Sequence, residues 1–386
     1  MTTASAEDKR DDTGNRNFPT ISEVQLSEIS DEGTYLVLLG TQGGPIPGKR
    51  AATSSALVVD GFIYIIDAGS GLPIRFSEAG LDFASVRGMF ITHLHSDHVS
   101  DYFNFFSLNW TNWDFENQTV HVYGPGRASN NGPHDSEAPG LPSLPAPIVV
   151  PDLPTPGLRD ITELSVRANA YDLNERVRST RRKGDRPIDL TGLVGRAMIE
   201  AHDIEVPAEA HVENWSPPMA PIRVHEDEHV VVTAVLIDHP PVFPAFAFRF
   251  DTRHGSVVFS GDTTPCLNLV QLATGADVLV NEVMDVDAAI KRFEGTAIYE
   301  TMAHQFTSAH TPLRSRRRGD GADVPSVGEV ASRCGVRGLV LNHLYPGDGS
   351  ITNEEFAQGA REGFGGSVLV GDDLLAIRLA STGSRA

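Results

Sequence analysis

The stretch FITHLHSDH, residues 90–98, places His93, His95, Asp97 and His98 directly behind an apolar run. Gly88-Met89-Phe90-Ile91 reads as the end of a short buried strand, and the residues from Asp97 onward have helical spacing, so the cluster occupies a strand-to-helix loop. His93 and His95 lie two apart; in an extended segment they point to the same side and can share one cation. Asp97 and His98 follow where the chain turns, aimed at a second position beside the first. Neutral imidazole and carboxylate are ligands that zinc takes, and its catalytic sites keep one position open for water. Two adjacent metals would hold a bridging hydroxide, a nucleophile at neutral pH. The alternative is a chance cluster of surface or core histidines, but packing has no use for this density on a loop.

Four local side chains cannot complete two metal shells, so distant segments should supply the rest. His239 ends VTAVLIDH, Asp262 ends SVVFSGD, and His343 follows the apolar GLVLN. Each is a ligand-type residue at the C-terminal end of an apolar strand, the same placement as His93. Taken singly, His239 or His343 could equally be a satisfied core histidine and Asp262 a turn residue. Their recurrence at strand ends is what argues for one shared site.

Working outward, GTYLVLLGT and SSALVVDGFIYIIDAG read as consecutive strands, the latter with a tight turn at Asp60-Gly61. VTAVLIDH, AFAFRF, SVVFSGD and DVLVNEV add four more strands. Towards the C-terminus the pattern becomes β/α: Ser326 with Glu329, and Thr352 with Glu355, have capping-box spacing before helices that flank GLVLNHL. Residues 1–20 read as a polar tail and 21–386 as one domain. Between Gly124 and Val230 prolines crowd residues 139–156 and no strand pattern is clear until HVVVTAVLI. This stretch is expected to be an inserted, partly helical lid, with Ile161, Leu164, Ala168 and Tyr171 at helical spacing and Asp160 with Glu163 suited to a helix start.

The 386 residues contain 51 acidic and 31 basic side chains, a formal charge of −20, which should repel nucleic acid and anionic membranes at long range. Two basic runs stand out: Arg176, Arg178, Arg181, Arg182, Lys183 and Arg186, then Arg314, Arg316, Arg317 and Arg318. Either could capture an anion or be a solvated charge run. The polar first seventeen residues lack the apolar segment of a secretory signal, which points to the cytoplasm. Cys266 and Cys334 are too few for a disulfide framework.

Together these motifs resemble the metallo-β-lactamase superfamily, over nearly all of residues 33–380. LLGTQGGP, the aspartate-ending YIIDAG, the H-x-H-x-D-H signature, then DH, SGDT and LNH stand in the family's order. The chain looks closest to the ribonuclease-Z-like and arylsulfatase-like branch. That resemblance implies an α/β fold class, a four-layer αββα sandwich with metals at the edge of its two sheets. It implies a first zinc on His93, His95 and His239, a second on Asp97, His98 and His343, and Asp262 bridging them, with manganese or iron as the alternative metals. Asp67 matches an aspartate that supports the loop, a plain turn carboxylate being the other reading. His310, in TSAHTP, matches a non-ligand histidine that protonates the leaving group, and with Asp97 it forms the expected catalytic set. The sequence departs from the pattern in LRSRRRGDGADVP, which separates His310 from the next helix; His304 competes for the role. His202 is a rival third ligand, set aside because IEVPAEA is not the long buried strand that follows His239.

The expected function is a dinuclear-metal hydrolase that cleaves an ester of a small anionic substrate, a sulfate ester or phosphodiester, with a homodimer open, no membrane and nucleic acid disfavoured as a partner. Two divalent ions against two aspartates and one hydroxide leave about one positive charge for such an anion. Alternatives are a lactone or carboxylic-ester hydrolase, a mononuclear-iron thiol oxygenase, and a transfer-RNA 3′ processing nuclease.

Overall fold

Alternation of side chains decides the layering. In the strand Thr34–Gly40, Leu36 and Leu38 join one buried cluster while Tyr35, Val37 and Leu39 join another on the opposite face. A strand buried on both faces must lie between two other layers. The computed structural model describes residues 21–44, 48–113, 118–128, 148–179, 199–319 and 321–379. The polar tail therefore lies outside the described residues.

The first sheet contains β1 (Ile21–Val24), β2 (Thr34–Gly40), β3 (Ser54–Val59), β4 (Phe62–Ile66), β5 (Val86–Phe90), β6 (Val120–Pro125) and β7 (Ile199–Ile204). The second is built from β8 (Ile222–Glu226), β9 (Val230–Leu236), β10 (Phe246–Thr252), β11 (Gly255–Phe259) and β12 (Val278–Met284). After a two-stranded ribbon of β13 (Arg316–Arg317) and β14 (Asp323–Val324), β15 (Gly338–Tyr345) and β16 (Ser367–Val370) complete it, and β17 (Ala376–Leu379) returns to the first sheet. The orders are β1-β17-β2-β3-β4-β5-β6-β7 and β16-β15-β12-β11-β10-β9-β8. In each sheet an antiparallel portion gives way to parallel pairing, β4 to β7 in one and β11, β12, β15 and β16 in the other. The Asp60-Gly61 turn has both residues at positive φ, as a two-residue hairpin requires.

Helices cover both outer faces. On the first sheet, α1 (Leu72–Glu78) and α3 (Tyr102–Leu108), separated by the one-turn α2 (Ser96–Val99), bury Leu72, Phe76, Tyr102, Phe105 and Phe106 against Val37, Ala56 and Ile65. α4 (Leu158–Ala168) packs near β6 and β7, followed by α5 (Ala170–Ser179). On the second sheet, α6 (Leu267–Ala273) precedes β12, α7 (Val286–Lys291) and α8 (Tyr299–Ala309) stand beyond the strand ends, and α9 (Val327–Cys334) and α10 (Asn353–Arg361) flank β15. Both predicted capping boxes form: Ser326 accepts from the Glu329 amide at 3.2 Å and Thr352 from the Glu355 amide at 3.2 Å. Between the sheets, Phe90, Phe246, Phe248 and Phe250 fill the central layer. This is the four-layer αββα sandwich.

The stretch 124–230 differs from its sequence reading in three ways. It contains β7 and β8, edge strands whose exposed rims carry Glu200, Arg223 and Glu226 and so lack an apolar alternation. α4 begins at Leu158, because Asp160 accepts from the Gly157 amide at 2.9 Å and caps the helix one turn earlier. Its buried residues are Leu158 and Thr162, whereas Leu164 and Tyr171 face outward. Among the described residues no helix is long and apolar enough to cross a membrane.

Phe248 is fully buried and meets the Phe90 ring edge-on at 5.6 Å. Phe248→Ala should lower unfolding stability by about 3–5 kcal/mol, to be read from the urea midpoint at constant slope.

Candidate metal centre

The strands run towards one edge of the sandwich and deliver their terminal side chains there. β5 ends at Phe90, and three residues on His93 is fully buried. Asp97 and His98 lie in α2, whose turn begins after His95. From the second sheet, His239 follows β9, Asp262 follows β11 and His343 lies within β15. Opposite His343, the β12–β15 register slips: Glu282 pairs with Asn342, the next pair is Val283 with Leu344, and His343 is the unmatched residue. A bulge of this kind re-aims a side chain out of the ladder, and His343 adopts a positive φ of 47°.

All seven predicted ligand-type residues converge. His93 Nε2 lies 3.0 Å from His95 Nδ1, and His239 Nε2 lies 3.3 Å from the same atom. Asp262 Oδ2 stands 4.0 Å from His93 Nε2 and 3.9 Å from His239 Nε2. On its other side, Asp262 Oδ1 is 3.3 Å from His98 Nε2, while His343 Nε2 is 3.1 Å from Asp262 Oδ2 and 3.4 Å from Asp97 Oδ2. Asp262 thus joins a donor cluster of His93, His95 and His239 to one of Asp97, His98 and His343, and it also lies in a third group with Glu282 and His310.

The donor set fits cations. Tetrahedral zinc with bonds of about 2.0–2.1 Å places neighbouring donors about 3.3 Å apart, the spacing of the imidazole nitrogens in the first cluster. His98 Nε2 and Asp262 Oδ1 face each other, are buried, and make no hydrogen bond. Buried polar atoms are otherwise almost always satisfied, so this pair is arranged for a third atom between them.

Electrostatics agree. Burial pushes the His239 imidazolium down to about 3, and it likewise lowers His93 and His95, which leaves neutral nitrogens. Burial also opposes charge on His98 and His343, but the neighbouring Asp262 outweighs it, raising His98 well above its usual value and His343 to about 10. Without a cation, protons on these two rings balance the carboxylates; a cation would take their place.

The supporting groups are equally specific. Asp67, at the end of β4 with φ 60°, accepts from Thr92 N at 2.8 Å and lies 2.9 Å from His98 Nδ1, which orients that ring. His239 Nδ1 lies 2.9 Å from the Ala309 carbonyl. The glycines of LLGTQGGP make room: a Cβ on Gly43 would come within 2.4 Å of His343 Nδ1, and the Gly44 amide donates to Asp97 Oδ2 at 2.8 Å.

His310 caps α8 at its C-terminal end, and its Nδ1 lies 2.9 Å from Glu282 Oε2. Glu282 also accepts from the Thr263 amide at 2.6 Å and the Thr311 amide at 3.2 Å. Burial disfavours a charged His310, but the Glu282 carboxylate more than compensates and raises it. Sequence reasoning missed Glu282. The available signal was a charged residue within the mostly apolar VLVNEVM, where β12 is buried throughout. His304 is exposed on α8, and His202 lies on β7 in a separate group. Of the first basic run, Arg176 and Arg178 lie on α5, and Arg181, Arg182, Lys183 and Arg186 fall outside the described residues.

A hollow of about 340 Å³ opens beside the clusters. His95, Asp97, Asp262, His310 and His343 form one side, and Met284, Phe293, Ile298, Met302, Phe306 and Tyr345 form an apolar wall. That wall comes from α8, the turn before it, and the ends of β12 and β15. Among the described residues, none of those lining the hollow comes from 124–230.

The chain has the metallo-β-lactamase fold. It is similar to the structure of human tRNase Z, short form, at 18% identity and TM-score 0.51, over 89% of this chain and 99% of that one. The fold protein YhfI of Bacillus subtilis matches at 13% and 0.51 with the same coverage, and the Zn²⁺-bound PqqB of Methylobacterium extorquens at 12% and 0.50, also covering 89% and 99%. Its curated relatives are of the ribonuclease-Z-like branch. The ribonuclease Z of Mycobacterium bovis is 28% identical over 349 residues, 88% of this chain and 96% of that protein, and that of Mycobacterium avium is 27% identical over 350 residues with the same coverage. A family model described as "Anti-Pycsar protein Apyc1" matches residues 34–108. Fold and relatives together support a metal-dependent hydrolase.

These relatives overturn two expectations. A small sulfate ester or phosphodiester is not the substrate they point to, and the arylsulfatase likeness has no support among them. Nor does nucleic acid remain a disfavoured partner, since the matched relatives are ribonucleases along almost their whole length. The inference from net charge fails physically because −20 sums the whole surface, whereas a polyanion responds to the field within about a Debye length, ~8–10 Å, of its contact.

Loading of the stripped protein with Zn²⁺ at neutral pH should release protons, because His343 stays protonated up to about pH 10 without a cation. Apparent affinity should therefore rise with pH through that range and fall as pH drops, up to about tenfold per unit for each proton displaced. Calorimetry in two buffers of different ionisation enthalpy measures the release; identical heats would show that no proton leaves.

Proposed function

We propose that this protein is a metal-dependent endoribonuclease that cuts a phosphodiester bond in RNA, with the 3′ trailer of a transfer-RNA precursor as the substrate class. The observation that carries this reading is similarity to ribonuclease Z over 88% of this chain and 96% of the relative, together with a buried acid pair beside two donor clusters. In this reading His93, His95 and His239 hold one zinc ion, Asp97, His98 and His343 hold a second, and Asp262 holds both. Ions so held supply charge stabilisation at the phosphoryl oxygens and a nucleophilic water at neutral pH.

The remaining work falls to the chain's own groups. Glu282 accepts the Nδ1 proton of His310 and favours the imidazolium, so that a second proton sits on Nε2 for the hollow. From there it donates to the departing ribose oxygen. Glu282, tied to two backbone amides, fixes the ring's orientation and stabilises its charge. The apolar wall of Phe293, Met302, Phe306 and Tyr345 suits a base turned out of its stack next to the scissile bond, since single-stranded RNA is held largely by such stacking. Arg316 and Arg317, in the ribbon shortly after His310, supply positive charge for the flanking phosphates.

Zinc-loaded protein should cut a transfer-RNA precursor bearing a 3′ trailer once, at the base of the trailer; an intact precursor with fully loaded protein would sink this reading. His310→Ala should keep its metal content and lose about 10²–10⁴ in turnover on RNA. A nitrophenyl phosphodiester, whose leaving group needs no proton, should lose far less. Equal losses on both would remove the acid role.

Replacing Arg316 and Arg317 together with Ala should weaken RNA binding and reduce the salt dependence, log K against log salt, by about 2 if each meets one phosphate. An unchanged slope would assign both to solvent.

A further inference from the structure

A second concentration of imidazoles lies away from the strand ends described above, on the open edge of the first sheet. β6 and β7 pair in parallel with His121 opposite Glu200 and Tyr123 opposite His202. Val120, Val122 and Ile199, on the other face of the same strands, belong to the helix-side core. The period of two therefore turns His121, Glu200 and His202 together towards the gap between the sheets. Glu200 and His202 stand two apart on one strand, as His93 and His95 do, and His121 comes across from the neighbour.

The three side chains aim at one point. His121 Nδ1 is 3.2 Å from His202 Nε2, Glu200 Oε2 is 3.4 Å from His121 Nδ1, and Glu200 Oε1 is 3.8 Å from His202 Nε2. The nitrogen spacing matches that of the imidazoles around Asp262, and it again equals the about 3.3 Å edge of a tetrahedral zinc shell. A single N–H···N bond would account for the two rings alone. It would not bring both carboxylate oxygens to the same two nitrogens.

The rings are held in place from outside. Tyr123 stacks on His202 with centroids 4.6 Å apart, and its hydroxyl lies 3.2 Å from His225 Nδ1 on the facing edge strand β8. His225 in turn meets Asp227, which also accepts from Tyr64 at 2.6 Å. Burial keeps both His121 and His202 below the usual imidazole range despite Glu200, so their nitrogens are neutral. The side chains of His121 and His202 remain 36% and 31% exposed, open enough to admit an ion.

We propose that His121, Glu200 and His202 form a separate binding site for one transition-metal ion, of the class that takes two imidazoles and a carboxylate, zinc foremost. The ion fastens the edge strand β7 to β6 and leaves one coordination position for water. It stands apart from the dinuclear centre and takes no part in cleavage.

The test is metal content in full-length protein stripped of metal, reloaded with Zn²⁺ and dialysed. His202→Gln and His121→Gln should each carry one equivalent fewer than the wild type while RNA cleavage stays unchanged. The difference reads this site whatever the number bound at the strand ends. Equal zinc content in wild type and both variants would overturn the proposal. Should the variants fold poorly, unmodified protein decides: crystals grown with three equivalents of Zn²⁺ should give an anomalous peak between His121 Nδ1 and His202 Nε2. Absence of that peak would overturn it equally.

Discussion

Four carboxylates, Asp67, Asp97, Asp262 and Glu282, are buried against the same histidines at the ends of the strands, three of them within 4 Å of His98. An isolated buried carboxylate is expensive, and charges inside proteins persist only when paired. Among the described residues no lysine or arginine pairs with any of them; every ion-pair partner is a histidine. Positive charge must come from protons on imidazole or from cations, and the local architecture follows from that need. The bulge that frees His343, the glycine that admits its ring and the helix end that offers His310 all serve to surround the same negative charge.

The backbone carries strain at the same edge. Asp67 and His343 are non-glycine residues in left-handed conformation, and Gly261 adopts φ 59° immediately before Asp262. Such positions cost of order 1–3 kcal/mol each when a side chain is present and survive only where the surroundings over-determine them. Here the surroundings are two sheets buried on both faces, so each strand end is fixed from both sides. A rigid sandwich lets loops of unusual geometry hold donors in place.

Much of this was legible in the amino-acid order. The signature histidines advertise themselves by density, and His239, Asp262 and His343 by their position behind apolar runs; the structure brings all of them to one place. Glu282 was missed: a carboxylate in a buried strand signals a partner, but which partner is fixed only by the contact with His310. β7 and β8 were missed because edge strands wear charge on their rims, so the alternation that marks a buried strand is broken. His121 and His202 lie 81 positions apart, and only the parallel pairing of two strands makes them neighbours. Nucleic acid was disfavoured from net charge, a global sum applied to a local contact.

The donors at the strand ends come from both sheets, and the last of them, His343, is reached only when most of the chain has been synthesised. A nascent polypeptide still lacking β15 has His93, His95, His239 and Asp262, but Asp97 and His98 are without His343. The second donor cluster therefore becomes whole only when translation is nearly finished and the two layers have closed on each other. Staggered completion of the two clusters is written into the order of the strands.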